Sequence, residues 1–117
     1  MSTSKLSGVL PVFQTPYHAD ESIDWTTLEC EIDWLFERGA DGIVMAMVSE
    51  TLRLSTDERE VLAERACRFA RSRGATVISI GAESSHTAER LARRAAECGA
   101  SAIMAIPRIS IAVGEDE

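Results

Sequence analysis

Three dipeptides mark the same structural step along the chain. Gly39-Ala40, Gly74-Ala75 and Gly99-Ala100 each close a helix-periodic stretch one or two residues before an apolar run. Glycine tolerates the left-handed conformation that ends a helix, and a short apolar run directly after it reads as a strand. A helix-glycine-strand unit that recurs three times buries its strands by aligning them in parallel, with each helix crossing back over the sheet. That narrows the fold to a (β/α)8 barrel, complete or partial, or an open doubly wound sheet.

The periodicities predict about four strands and three helices. Gly8-Val9-Leu10-Pro11-Val12-Phe13 is the first strand, and Pro11 places it at an edge or leaves it with one free amide. After a polar turn from His18 to Ser22, Asp24 caps a helix with apolar steps at Trp25, Leu28, Ile32, Leu35 and Phe36, ended by Gly39. Residues 41–48 are apolar almost throughout, as a strand covered on both faces should be. Ser55 with Glu58 forms a capping box that opens a second helix, with Leu62, Ala66, Phe69 and Ala70 on one face and Gly74 at its end. Residues 76–80 are the third strand. Ser85 caps a third helix that turns Ala88, Leu91, Ala92, Ala95 and Ala96 inward and is closed by Gly99. Residues 102–106 are the fourth strand, stopped by Pro107, and the acidic ending Glu115-Asp116-Glu117 suits the first turn of a fourth helix.

Nothing in this pattern marks a linker or a second domain, so residues 1–117 read as a single domain. Four strands and three helices are about half of a barrel whose usual length is about 250 residues. The class is therefore α/β, with a complete or partial (β/α)8 barrel and an open doubly wound sheet both allowed by the pattern. A half barrel leaves a sheet edge unpaired on each side and much of its inner face uncovered.

Charge and composition bound the partners. Twelve basic against nineteen acidic side chains give a formal charge of -7, which repels phosphate backbones and anionic bilayers; neither nucleic acid nor membrane is an expected partner. The apolar runs fall short of the roughly 20 residues that span a bilayer. Met1-Ser2-Thr3-Ser4-Lys5 lacks a signal-peptide core, so a cytoplasmic setting is expected. Cys30, Cys67 and Cys98 are odd in number, widely spaced and each within a helical pattern, which reads as free packing thiols. His18 and His86 are far apart, and no cluster has metal-ligand spacing. No cofactor or metal is expected.

In either architecture, chemistry belongs to the loops after the carboxyl ends of the strands. Thr15-Pro16-Tyr17, Met47-Val48-Ser49-Glu50, residues 81–85 and Pro107-Arg108-Ile109-Ser110 occupy those places. Glu50 suits an acid or base, or a carboxylate bonded to nearby amides. Gly81 with Ser84-Ser85 suits an anion cradle or a plain helix cap. Arg108 suits a substrate carboxylate or bulk solvent. The lysine content is more informative: the chain's one lysine is Lys5, ahead of the first strand, whereas Schiff-base catalysis needs an amine inside a pocket. Nor do residues 12–15 supply the acidic cluster of a receiver-like regulator.

In order and at near-family spacing, several segments resemble the dihydrodipicolinate synthase / N-acetylneuraminate lyase family. They are Gly8-Val9-Leu10-Pro11-Val12 with Thr15-Pro16-Tyr17, Ser22-Ile23-Asp24, and Ile32-Asp33-Trp34-Leu35 running into Arg38-Gly39-Ala40-Asp41-Gly42-Ile43-Val44. Leu54-Ser55 with Glu58-Arg59, Thr87-Ala88-Glu89, Leu91-Ala92 through Gly99-Ala100, and Ala102-Ile103-Met104 with Pro107 follow. The resemblance implies the N-terminal half of a (β/α)8 TIM barrel, with the length read as a cut, from a lyase or aldolase that acts on pyruvate-type or other 2-keto acids through a lysine Schiff base and is homo-oligomeric in its full-length form. It puts Glu50 on the family glutamate and Ala46-Met47-Val48-Ser49 on the Gly-Thr-Thr-Gly stretch, so Met47 and Val48 replace two hydroxyl donors and Ser49 is the nearest hydroxyl left. Thr15, Ser49 and Glu50 are the implied substrate-binding residues. Pro107-Arg108-Ile109 lacks the tyrosines the family often has there. The family's catalytic lysine comes from the fifth or sixth strand, so no catalytic residue is expected in this chain. The competing expectation is a self-standing, non-catalytic βα binding or interaction module built on the same scaffold.

Overall fold

The computed structural model describes residues 6–45, 54–81 and 84–105. Helix α1 (Trp25–Glu37) starts where a carboxylate is available to cap it. Asp24 accepts the backbone N–H of Thr27 on Oδ1 at 3.1 Å and the Thr27 hydroxyl on Oδ2 at 2.7 Å, satisfying a donor that the first helical turn leaves open. Leu28 and Ile32 are fully buried, and Trp25, Leu35 and Phe36 pack half-buried around them, as their spacing predicts. Arg38 caps the far end, with Gly39 left-handed behind it at φ 98°.

Strand β1 (Gly42–Val44) follows, then α2 (Thr56–Ala70), β2 (Ala75–Ser79), α3 (Ser85–Cys98) and β3 (Ala102–Met104). The three strands form one parallel sheet in the order β1-β2-β3, with Ile43 opposite Thr76 and Ile78 opposite Ile103. Side chains alternate across a strand. Ile43, Met45, Ile78 and Ile80 join Leu62, Ala66, Leu91 and Ala95 in one core between sheet and helices. The same alternation puts Val44, Val77 and Ser79 on the opposite face. Each fully buried Leu or Ile contributes about 1.5–3 kcal/mol relative to an exposed one.

Five sequence expectations change in detail. The segment expected as the first strand pairs with β1 through a single parallel bridge, Val12 with Val44, and is not a full strand. Phe13 N–H donates to Val44 O at 3.2 Å and Val44 N–H to Pro11 O at 2.9 Å. In that register the next ladder bond back would come from the N–H of residue 11, and proline has none. Upstream, Asp41 takes over: its carboxylate accepts Val9 N–H at 2.8 Å, and its own N–H donates to Val9 O at 2.9 Å.

The glycine after α2 is not what ends that helix. Arg71 is the cap and Ser72 takes the left-handed conformation at φ 68°. Gly74 is required for space instead: a Cβ there would run into the carbonyl of Asp41 and lie 2.8 Å from Phe36 Cε1. Only Gly39 and Gly99, of the three repeated glycines, end helices by conformation.

At α3 the cap is Ser84 and not Ser85, with Ser84 Oγ accepting Thr87 N–H at 3.3 Å. Ala96, expected inward, is exposed. Of the three cysteines, Cys67 is buried and Cys98 half-buried, but Cys30 is exposed and does not pack.

Candidate functional site

The carboxyl ends of the parallel strands gather one set of side chains. Thr15 follows the bridged segment and is buried, at 5% exposure. Two contacts hold its neighbourhood: Gln14 N–H donates to Glu31 Oε2 on α1 at 2.9 Å, and Asp24 N–H donates to Pro16 O at 2.9 Å. A tight hairpin closed by the antiparallel Tyr17–Ile23 bridge projects beyond it. At its tip Asp20 Oδ1 accepts both the N–H and the hydroxyl of Ser22, which holds the Asp20 carboxyl below its usual range.

Helix α2 begins at this same end. Ser55 and Glu58 form the predicted capping box: Glu58 N–H donates to Ser55 Oγ at 3.1 Å, and Ser55 N–H to Glu58 Oε1 at 2.8 Å. The next residue, Arg59, turns inward and is 5% exposed. Its guanidinium donates to the carbonyl oxygens of Gly81 at 2.8 Å and Ser79 at 3.1 Å, at the carboxyl end of β2. Burial lowers its pKa from the ordinary arginine value. Arg59 Nε and the fully buried Ser79 Oγ have no hydrogen-bond partner among the described residues.

Arg59 was not singled out for a role by sequence reasoning, although a signal exists. It lies three and seven residues before Leu62 and Ala66, a charge on an otherwise apolar helical stripe. A charge that is nearly buried must find strong acceptors, and here they are backbone carbonyls. On the outer side, Arg90 of α3 donates to Asp57 at 2.8 Å and to Glu60 at 2.8 Å, clamping the starts of α2 and α3 together. That hydrogen bond holds Glu60 below the usual carboxylate range.

Of the implied substrate-binding residues, Thr15 is placed at this end, while Ser49 and Glu50 lie outside the described residues, as do Lys5 and Arg108. Ser84, weighed as part of an anion cradle, spends its hydroxyl as the α3 cap, and the Gly81 carbonyl is taken by Arg59. Among the described residues no group of three His, Cys, Asp or Glu side chains is placed to hold a metal ion, and no helix is long and apolar enough to cross a membrane.

Residues 5–108 match the profile of the Dihydrodipicolinate synthetase family. The chain is 34% identical over 102 residues to a 4-hydroxy-tetrahydrodipicolinate synthase of Azoarcus, covering 86% of this chain and 34% of that protein. It is 33% identical over 104 residues to an N-acetylneuraminate lyase of Rhizobium meliloti, covering 88% of this chain and 35% of the relative. The crystal structure of a dihydrodipicolinate synthase from Rhodopseudomonas palustris superposes with a TM-score of 0.81 at 27% identity, over 90% of this chain and 36% of that one. The chain thus spans about a third of the length of the relatives it matches.

Proposed function

The chain belongs to the dihydrodipicolinate synthetase family, and from that premise we propose that it is the N-terminal portion of a Schiff-base lyase or aldolase acting on a pyruvate-type or other 2-keto acid. One observation carries the reading: nearly all of the chain matches the family, yet it accounts for about a third of each relative. In this reading Thr15, Ser49 and Glu50 bind the substrate, with hydroxyls and not the Glu50 carboxylate meeting its carboxylate end, and the Schiff-base lysine comes from a strand that this chain does not contain. Lys5, before the first strand, has no part in the chemistry. Arg59 positions the turn after β2 without touching substrate. We place these residues in one barrel domain of a cytoplasmic homo-oligomer.

Met47 and Val48 where the family has hydroxyl-bearing residues argue against the carboxylate grip typical of dihydrodipicolinate synthesis. A sugar-derived keto acid suits the site equally well.

Borohydride reduction in the presence of pyruvate tests the assignment. The 117-residue chain alone is expected to remain unmodified by mass spectrometry. Residues 1–105 fused ahead of the remaining strands of the Rhizobium meliloti lyase are expected to trap pyruvate on a lysine of the added part. A stable pyruvate adduct on Lys5 of the 117-residue chain, or a folded fusion that traps nothing, overturns the proposal.

A further inference from the structure

Four of the chain's twelve basic residues converge on one groove between α1 and α2. Arg65, Arg68, Arg71 and Arg73 line it together with Trp25, and Glu29 is the one carboxylate in the wall. The groove has a volume of about 460 Å³, within the range of small-molecule sites. This concentration of positive charge stands out on a chain whose net charge is -7.

Intramolecular pairing leaves part of that charge unspent. Arg68 pairs with Glu64 at 3.1 Å, one helical turn back, and Arg73 pairs with Asp33 on α1. Arg65 lies over the Trp25 ring, 4.8 Å from its centroid, and makes no ion pair among the described residues. The Arg71 side chain is exposed and has neither ion pair nor hydrogen bond among them. The negative end of the helix dipole accounts for Arg68 and Arg71 in the last turn of α2 and at its cap. It does not account for Arg65, in the middle of the helix, or Arg73, beyond it.

We infer that this groove binds a small polyanion, a phosphate ester or a polycarboxylate, whose charged groups are taken by Arg71 and Arg65 and whose body rests along Trp25. The guanidinium fork matches the oxygen edges of phosphate and carboxylate alike. Trp25 already holds Arg65 against its ring, so one of the two forks is oriented before a ligand arrives. Arg68 and Arg73 add field at the rim while keeping their own partners. Neither Thr15 nor Arg59 lines the groove, so binding there is tested independently of the proposed function.

Calorimetric titration of the 117-residue chain with pyrophosphate and, separately, with citrate tests this. Saturable binding is expected for at least one probe: pyrophosphate alone identifies a phosphate ligand, citrate alone a carboxylate, and both a general polyanion. Arg71→Gln is expected to weaken binding by about tenfold, as loss of one guanidinium fork should. Arg65→Gln should do so again, and added salt should weaken the wild type further. Arg93→Gln, on the exposed face of α3, should change nothing. Absence of saturable binding to both probes overturns the inference, as does equal weakening by Arg93→Gln and Arg71→Gln. Circular dichroism checks each fold; if Arg65→Gln unfolds, Arg71→Gln decides alone, because its exposed side chain makes no ion pair or hydrogen bond among the described residues.

Discussion

Arg59 donates a hydrogen bond to the carbonyl oxygen of Gly81 across twenty-two residues of sequence, at 2.8 Å. With the second bond, to Ser79 O at 3.1 Å, it ties the first turn of α2 to the carboxyl end of β2. Parallel strands end with carbonyls that have no further ladder partner. At the functional end of an α/β fold, such carbonyls stay in place only if something donates to them.

Arg59→Met keeps most of the buried stem and removes both donors. The buried Ser79 carbonyl and the half-buried Gly81 carbonyl then lose these donors, at up to about 1–3 kcal/mol each. A fall in stability of about 2–4 kcal/mol is expected from urea unfolding, with Arg59→Lys in between because one donor survives. A loss below about 0.5 kcal/mol would show that the guanidinium does not hold the turn.

Gly74 and Gly99 precede strands in the same way but for different reasons, and asparagine separates them. Gly99 is left-handed at φ 87°, and a Cβ on it meets nothing within 4 Å. Gly99→Ala is expected to cost about 1 kcal/mol, and Gly99→Asn less, since asparagine tolerates that conformation. Gly74→Ala pushes a methyl into the Asp41 carbonyl, which also accepts Ala75 N–H at 3.2 Å and cannot easily yield. A cost of about 1–3 kcal/mol is expected there, with no rescue by asparagine. Thermal melts of the four variants check the pattern.

Asp24 links stability to pH. Hydrogen bonds from the Thr27 hydroxyl and N–H hold its carboxyl below the usual range. A carboxyl with a depressed native pKa stabilises fully above its unfolded value, about 3.9, and loses that contribution as pH falls through the native one. Thr27→Val removes the larger of the two contacts and should move the Asp24 titration up toward the ordinary value in a carboxyl NMR experiment. Asp24→Asn should flatten the acid side of the melting-temperature profile between about pH 5 and pH 2. An unchanged profile would mean that the cap is not formed in solution.

The three thiols should be distinguishable by rate. Burial is the main cause that pushes the Cys67 thiol up to about 11, so little thiolate exists near neutrality. Cys30 is exposed. Iodoacetamide at pH 8 followed by peptide mass spectrometry should label Cys30 at least about a hundredfold faster than Cys67. Denaturation should abolish the difference. Equal rates in the folded chain would contradict the packing of Cys67 against the core.

What could be read from the sequence was whatever depends on near neighbours. The Asp24 cap, the Ser55–Glu58 box, the left-handed Gly39 and Gly99, and the apolar stripes of α1 and α2 all rest on residues within a turn or two of one another. The repetition of those units was enough to specify parallel strands between helices, because few other arrangements bury them. The tertiary structure decided the rest. Pro11 reduces a strand to one bridge because Gly42, whose carbonyl it fails to meet, lies on another segment. Gly74 is needed because Phe36 and Asp41 crowd it, and Arg59 is buried because the carbonyls of Ser79 and Gly81 accept from it. The Ser84 cap is the exception, a near-neighbour contact with Thr87 that the two adjacent serines left ambiguous in the sequence. Local rules establish which elements form; contacts between residues distant in sequence determine where a backbone group is left open and which side chain must close it.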